Sequence, residues 1–195
     1  MRSILKALLL DGTEKDETTV NMIKNIIHSE LRKKKYKTKD IKLSEKNFHH
    51  CIGCFKCWLE TPGICVHNDY GRDITREVVQ ADLLILLSPV TFGGYSSILK
   101  KAVDRFIPIV LPFFTKIQEE FHHQPRYDKY PVLIGIGILP QPNKNKEKLF
   151  KKLIRRNSLN FHNPKHATGI IYINQDIIKA RNIIQKCLQE VETER

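Results

Sequence analysis

Asp82-Leu83-Leu84-Ile85-Leu86-Leu87-Ser88, continuing into Pro89-Val90-Thr91-Phe92-Gly93-Gly94-Tyr95-Ser96-Ser97, is the stretch on which the fold turns. An apolar run of strand length with no polar alternation predicts a strand covered on both faces, as in a parallel sheet. The glycine-containing turn that follows opens a helix over residues 96–106, stopped by Pro108 and Pro112. Residues 4–10 make a second strand of the same buried kind, and an acidic turn then leads into an amphipathic helix over 19–34. Residues 36–43 alternate like a less buried edge strand. A short helix near 73–80 precedes the central strand. Strands at 132–138 and 169–173 and helices at 144–157 and 177–191 complete the pattern.

Repeated strand–helix alternation predicts an α/β fold, with helices on both faces of a parallel sheet. The expectation is a three-layer sandwich whose five strands run in the order 2-1-3-4-5, with residues 1–195 as one domain. Two stretches fall outside the alternation. One is a cysteine-rich loop at about 48–69, and the other is an irregular excursion at about 108–130 that has no regular period. Gly135 and Gly137 mark places where backbone or ligand approaches closely. In such a sheet ligands bind beyond the carboxyl ends of the strands where the order reverses, here between the first and third strands. The loops to inspect are therefore 11–19 and 88–97.

The chain carries a net charge of +12, with basic runs at 32–35 and 144–152 that read as solvated helix faces. These charges also suit anionic partners, but no nucleic-acid-binding signature accompanies them. No run approaches the roughly 18 apolar residues of a membrane span, and the N-terminal apolar stretch lacks a small-residue cleavage site. A cytoplasmic location is the expectation. Four of the five cysteines, Cys51, Cys54, Cys57 and Cys65, fall within fifteen residues in the spacing C-x2-C-x2-C-x7-C. Thiolates gathered in a tight loop suit an iron–sulfur cluster or zinc. Thiols packed as small hydrophobes, or cycling through a Cys51–Cys54 disulfide, fit the same residues. Cys187 reads as a core residue. The pairs His49-His50 and His122-His123 are placed on surface loops, because adjacent side chains diverge on regular structure.

On its own, the 88–97 loop fits an ordinary strand-to-helix turn capped by Ser96 or Ser97, as well as a cradle for a flat ligand. It resembles the flavin-ring loop of the NAD(P)H-dependent FMN reductases and iron–sulfur flavoproteins of the flavodoxin superfamily. These read Pro-Val-Tyr-Phe-Gly or similar, then a helix ending Asp-Arg. Pro89, Val90, Phe92, Gly93, Gly94, Leu99, Lys100, Asp104 and Arg105 match, while Thr91 stands where the family carries an aromatic residue. The resemblance runs from Leu5 to about Phe161. It implies that Pro89, Val90, Thr91, Phe92, Gly93 and Gly94 contact the isoalloxazine ring of FMN. It also implies that Gly12, Thr13, Lys15, Thr18 and Thr19 wrap the FMN phosphate at a helix N-terminus, where the dipole favours an anion. The same residues read equally as a helix start with Thr18 as cap.

The cysteine spacing resembles that of iron–sulfur flavoproteins, in which Cys51, Cys54, Cys57 and Cys65 would hold a 4Fe–4S cluster. Other flavoproteins of the family carry a similar stretch as a structural loop. The implied function is an FMN-dependent oxidoreductase that takes a hydride from NAD(P)H and reduces a small acceptor or a protein partner. The flavin performs the chemistry and no side chain acts as acid or base. A non-enzymatic carrier with FMN and a 4Fe–4S cluster is the alternative. Glu14, Asp16, Glu17, Pro140 and Pro142 depart from the family pattern and leave open a protein of this fold without flavin. A homodimer is implied, with Ile109-Val110-Leu111-Pro112-Phe113-Phe114 as its apolar contact.

Overall fold

The computed structural model describes residues 4–14 and 18–192. Five parallel strands, β1 (Lys6–Asp11), β2 (Lys37–Lys42), β3 (Leu83–Pro89), β6 (Val132–Leu139) and β7 (His166–Tyr172), form one sheet in the order β2-β1-β3-β6-β7. This is the expected 2-1-3-4-5 arrangement, with a two-stranded hairpin inserted before its fourth strand. The helices are α1 (Thr18–Lys33), α2 (Lys56–Leu59), α3 (Tyr70–Gln80), α4 (Ser97–Asp104), α5 (Lys144–Asn160) and α6 (Ile177–Val191). Among the described residues no helix is long and apolar enough to cross a membrane.

Side chains that alternate along a strand divide the core into two layers. Leu8, Leu10, Leu84 and Leu86 pack with Ile74 and Val78 of α3, Leu99, Ala102 and Val103 of α4, and Phe150 and Ile154 of α5. Ala7, Leu9, Leu83, Ile85 and Leu87 pack with Val20, Ile23, Ile27 and Leu31 of α1, and with Ala180, Ile184 and Cys187 of α6. The continuous apolar run of β3 is thus apolar because both of its faces are covered. In β2, Lys37, Lys39 and Asp40 are exposed, which marks it as the sheet edge. The close approach expected at Gly135 and Gly137 is made by the protein itself. A Cβ at Gly135 would lie 2.3 Å from Ile154 Cδ1, and one at Gly137 would lie 2.9 Å from Phe150 Cε1. The absent side chains let α5 settle on β6.

A buried ion network joins α1 to α6. Glu30 accepts hydrogen bonds from Lys33, Arg181 and Gln185. Burial alone would raise its pKa, but these partners outweigh burial and hold the carboxyl down at about 2.

The stretch expected to be irregular is instead an antiparallel hairpin, β4 (Val110–Ile117) and β5 (Glu120–Pro125). Ile117 pairs with Glu120, so Gln118 and Glu119 form the two-residue turn, both at positive φ. Such turns usually announce themselves as Asn-Gly or Asp-Gly. Gln-Glu carries no such signal, and a register shift between Val110 and Phe114 breaks the period-two pattern. His122 also departs from its expected surface loop. It lies on β5 with only 4% of its side chain exposed, and its Nδ1 is 2.9 Å from Asn160 Oδ1 of α5.

Candidate functional site

The strand order reverses between β1 and β3, and the loops leaving these two strands are stapled together. Gly12 N donates to Leu87 O at 2.8 Å, and Ser96 Oγ donates to Gly12 O at 2.6 Å. Ser96 N donates in turn to Ser88 Oγ at 2.8 Å, so the serine that caps α4 also positions the first loop. A Cβ at Gly12 would lie 2.6 Å from Leu99 Cβ and 2.9 Å from Ser96 Oγ. Gly12→Ala is therefore expected to push the two loops apart and to destabilise the protein by about 1–3 kcal/mol, read as a lower urea midpoint.

Residues 91–94 make a tight turn. Thr91 N donates to Gly94 O at 3.1 Å, and Gly94 N donates to Thr91 O at 2.8 Å. The amides of Phe92 and Gly93 have no partner among the described residues, and the Phe92 side chain is 92% exposed. Phe92 and Gly93 both sit at positive φ, and Gly93 packs so closely on Leu149 of α5 that a Cβ there would lie 2.7 Å from Leu149 Cβ. Pro89 ends β3 half-buried, Val90 is buried, and a Cβ at Gly94 would make ordinary contact with Thr91 O at 3.6 Å. The turn thus offers free donors and an exposed ring beside the crevice.

In the first loop Thr13 is buried and its hydroxyl is already donated, at 2.7 Å, to Asp11 Oδ1. Asp11, with no exposed surface, also accepts from Thr13 N at 3.0 Å and pairs with Lys24 of α1 at 3.0 Å. The sequence reading missed this carboxylate because it closes an otherwise apolar strand. Its role depends on a lysine one helix away. Thr18 opens α1, exposed, and Thr19 follows it, buried. Lys15, Asp16 and Glu17 lie outside the described residues. The loop after β6 is exposed at Pro140, Gln141 and Pro142.

A cavity of about 620 Å³ lies elsewhere, between the cysteine loop, α4, α5 and the hairpin. Cys51, Cys54, Cys57 and Cys65 all line it, along with Tyr95, Phe114, Phe121 and Phe161. All four thiols are free. Cys51 and Cys54 are exposed, Cys65 is half-buried and Cys57 is buried. Burial, followed by the neighbouring Cys65, Cys51 and Cys54, pushes the Cys57 thiol up to about 11. Among the described residues no three His, Cys, Asp or Glu side chains converge tightly enough for a single metal ion. Cys187 is buried on α6, away from this cavity, as expected.

One clasp closes the loop at both ends. Arg105, just past α4, has 1% of its side chain exposed. Its guanidinium donates to His49 O at 2.7 Å and to Asp69 Oδ2 and Oδ1 at 3.0 and 2.9 Å. Asp69 Oδ2 also accepts from His49 N at 2.8 Å. His49 enters the cysteine segment and Asp69 leaves it. Arg72 secures the exit by donating to Cys65 O at 2.7 Å and Val66 O at 3.1 Å. Trp58, the single tryptophan, donates Nε1 to Val110 O at 2.9 Å and so ties the loop to the hairpin.

Burial would raise the Asp69 pKa, but Arg105 and the amides of His49 and Gly71 hold it at about 2. A carboxyl whose folded pKa lies below its unfolded value adds stability above the unfolded pKa and loses it as pH falls toward the folded one. Asp69 and Glu30 both behave in this way. The urea midpoint is therefore expected to hold down to about pH 5 and to fall between about pH 4 and pH 2. Asp69→Asn should flatten part of that fall.

The sheet order and the two loops at its reversal define a flavodoxin-like α/β protein. The chain belongs to the NADPH-dependent FMN reductase family, whose sequence pattern matches residues 5–127. It is 31% identical over 109 residues to an iron–sulfur flavoprotein of Methanocaldococcus jannaschii, covering 56% of this chain and 55% of that protein. An iron–sulfur flavoprotein of Archaeoglobus fulgidus is 26% identical over 104 residues, covering 53% of this chain and 46% of that one. The chain thus spans about half the length of the curated relatives it matches. Among solved structures, an NAD(P)H:quinone oxidoreductase from Methanothermobacter marburgensis superposes with a TM-score of 0.68 at 11% identity, covering 99% of this chain and 100% of that one. An FMN-dependent NADH-azoreductase from Bacillus anthracis, in complex with FMN, gives 0.64 at 11% identity, covering 95% and 98%. Likeness at that identity speaks for the fold alone.

Proposed function

We propose that this protein is an FMN-dependent oxidoreductase drawing electrons from NAD(P)H, with Cys51, Cys54, Cys57 and Cys65 as ligands of a 4Fe–4S cluster. The observation that carries the cluster is the convergence of four free thiols on one cavity, in a loop clasped at both ends by Arg105. A four-iron cluster separates its ligand sulfurs more widely than a single ion does, so the absence of a tight chelate is compatible with it. Ligation removes the Cys57 proton that burial otherwise retains.

For FMN, the fit rests on the unpartnered amides of Phe92 and Gly93 beside the β1–β3 crevice, where they suit the polar edge of a flavin ring. Pro89, Val90, Thr91 and Gly94 complete that loop. Gly12, Thr18, Thr19 and Lys15 are assigned to the phosphate. Thr13 contributes by holding the loop through Asp11 rather than by donating its hydroxyl. The flavin supplies hydride acceptance and one-electron transfer when bound, and the chain's own residues bind and orient it. The iron–sulfur flavoprotein relatives support the pairing of the two groups.

A second copy is the partner assigned to the exposed rings. On the hairpin Phe113 and Phe114 are each 63% exposed and Phe121 is 76%, apolar side chains suited to a homodimer contact, and Phe92 is 92% exposed on the loop after β3. Ile109 and Val110, at the start of the expected contact, are buried within the chain.

The test is anaerobic purification with a visible spectrum and assays for iron, sulfide and flavin on one sample. Flavin bands together with about four irons per chain are expected. Flavin without iron makes this a cluster-free NAD(P)H reductase, whereas colourless protein that stays colourless with added FMN overturns the reading. Trp58 provides a second readout, since filling the cavity beside it should quench its fluorescence.

A further inference from the structure

Buried polar atoms almost always find hydrogen-bond partners, and clustered exceptions call for an explanation. Among the described residues, the buried side-chain atoms without a hydrogen bond include four nitrogens: His67 Nε2, Arg105 Nε, His122 Nε2 and His123 Nδ1. All four residues line the cavity that the four cysteines line. His122 Nε2 does face an anion, Glu120 Oε2 at 3.3 Å. Arg105 Nε has nothing comparable, although Nη1 and Nη2 of its guanidinium donate to Asp69 and His49. Arginine is always protonated in proteins, so its Nε–H is a permanent donor. Cys51 and Cys65 line the same cavity as Arg105. The His123 ring is fixed between Trp58 at 4.8 Å and Phe114 at 4.7 Å, so its unpartnered Nδ1 is held in place rather than free to turn.

The acceptors missing from the protein are those a sulfur-ligated group would bring. We infer that Arg105 Nε–H and His123 Nδ1–H donate hydrogen bonds to the sulfur shell of the cluster, setting its reduction potential. This rests on the cluster assignment made above. Reduction adds negative charge to the cluster, and N–H donors aimed at its sulfurs stabilise that charge and raise the potential. The hairpin is thus more than a wall, because it carries a positioned donor on β5.

His123→Phe keeps an aromatic ring between Trp58 and Phe114 and removes the donor. His123→Asn restores an N–H near the Nδ1 position. The experiment is a mediated redox titration, followed by electron paramagnetic resonance of the reduced cluster, on anaerobically prepared wild type and both variants. Iron and sulfide are counted first. The expected result is unchanged iron in all three, a more negative midpoint for His123→Phe, and recovery toward wild type in His123→Asn. Arg105→Lys, which keeps the charge and displaces the Nε–H, should shift the midpoint in the same direction where it retains its iron. Full iron with unmoved midpoints in both His123 variants overturns the inference and leaves the cluster assignment standing. Loss of iron from His123→Phe also overturns it, by giving His123 a purely structural role. Wild-type protein lacking iron overturns both.

Discussion

Arg105→Ala is expected to destabilise the protein by about 3–5 kcal/mol, the cost of removing one partner from a buried ion pair. The guanidinium has 1% of its side chain exposed and Asp69 has 12%, so Asp69 would be left with a charge that water reaches poorly. The His49 carbonyl would lose its donor as well. Both ends of the cysteine segment depend on that one side chain, so the damage is not confined to stability. The thiols lose their common frame, and if they hold the proposed cluster, iron content should fall together with the urea midpoint. Urea unfolding and an iron assay on the same preparation check both parts. A loss of under about 1 kcal/mol, in the range of an exposed pair, would refute the clasp. Asp69→Asn, which keeps the shape and removes the charge, should fall between wild type and Arg105→Ala.

Phe150→Ala should cost a similar amount, about 3–5 kcal/mol, by a different route. Phe150 has no exposed surface and meets Tyr95 edge-on, with ring centroids 5.8 Å apart. Its Cε1 fills the space that a side chain on Gly137 would need. Truncation therefore opens a void beneath β6 and under the loop that carries Phe92 and Gly93. Tyr95 is also held by Asn157 Nδ2, which donates to its hydroxyl at 2.9 Å. That bond keeps the tyrosine in place but cannot replace the lost packing. Flavin affinity should weaken along with stability, and titration of apoprotein with FMN separates the two effects. Phe150→Leu, which refills most of the void, should recover more than half of the loss.

Much of the fold is legible in local pattern. The run Leu83 to Leu87 reads as a two-faced strand because each residue needs only a helix above or below it. The amphipathic spacing of Val20, Ile23, Ile27 and Leu31 reads as a helix for the same reason. The two crevice loops are legible from their place after β1 and β3. The hairpin is not, because Gln118 and Glu119 take positive φ without the residues that usually advertise it. Gly135 and Gly137 read as places of close approach, and on β6 the protein's own side chains, Ile154 and Phe150 of α5 among them, make that approach.

The sequence alone determined the alternation of buried strands and helices and the grouping of four cysteines in one short segment. These follow from periodicity and spacing, which act over a few residues. Only the tertiary structure decided what closes the site. Arg105 reaches His49 across 56 residues and Asp69 across 36, and the hairpin supplies the far wall of the cavity. The first loop likewise turns on Lys24, which neutralises Asp11 from the next helix and frees that carboxylate to take the Thr13 hydroxyl. A buried charge must find its partner wherever the folded chain brings one, and no local pattern records which residue that will be.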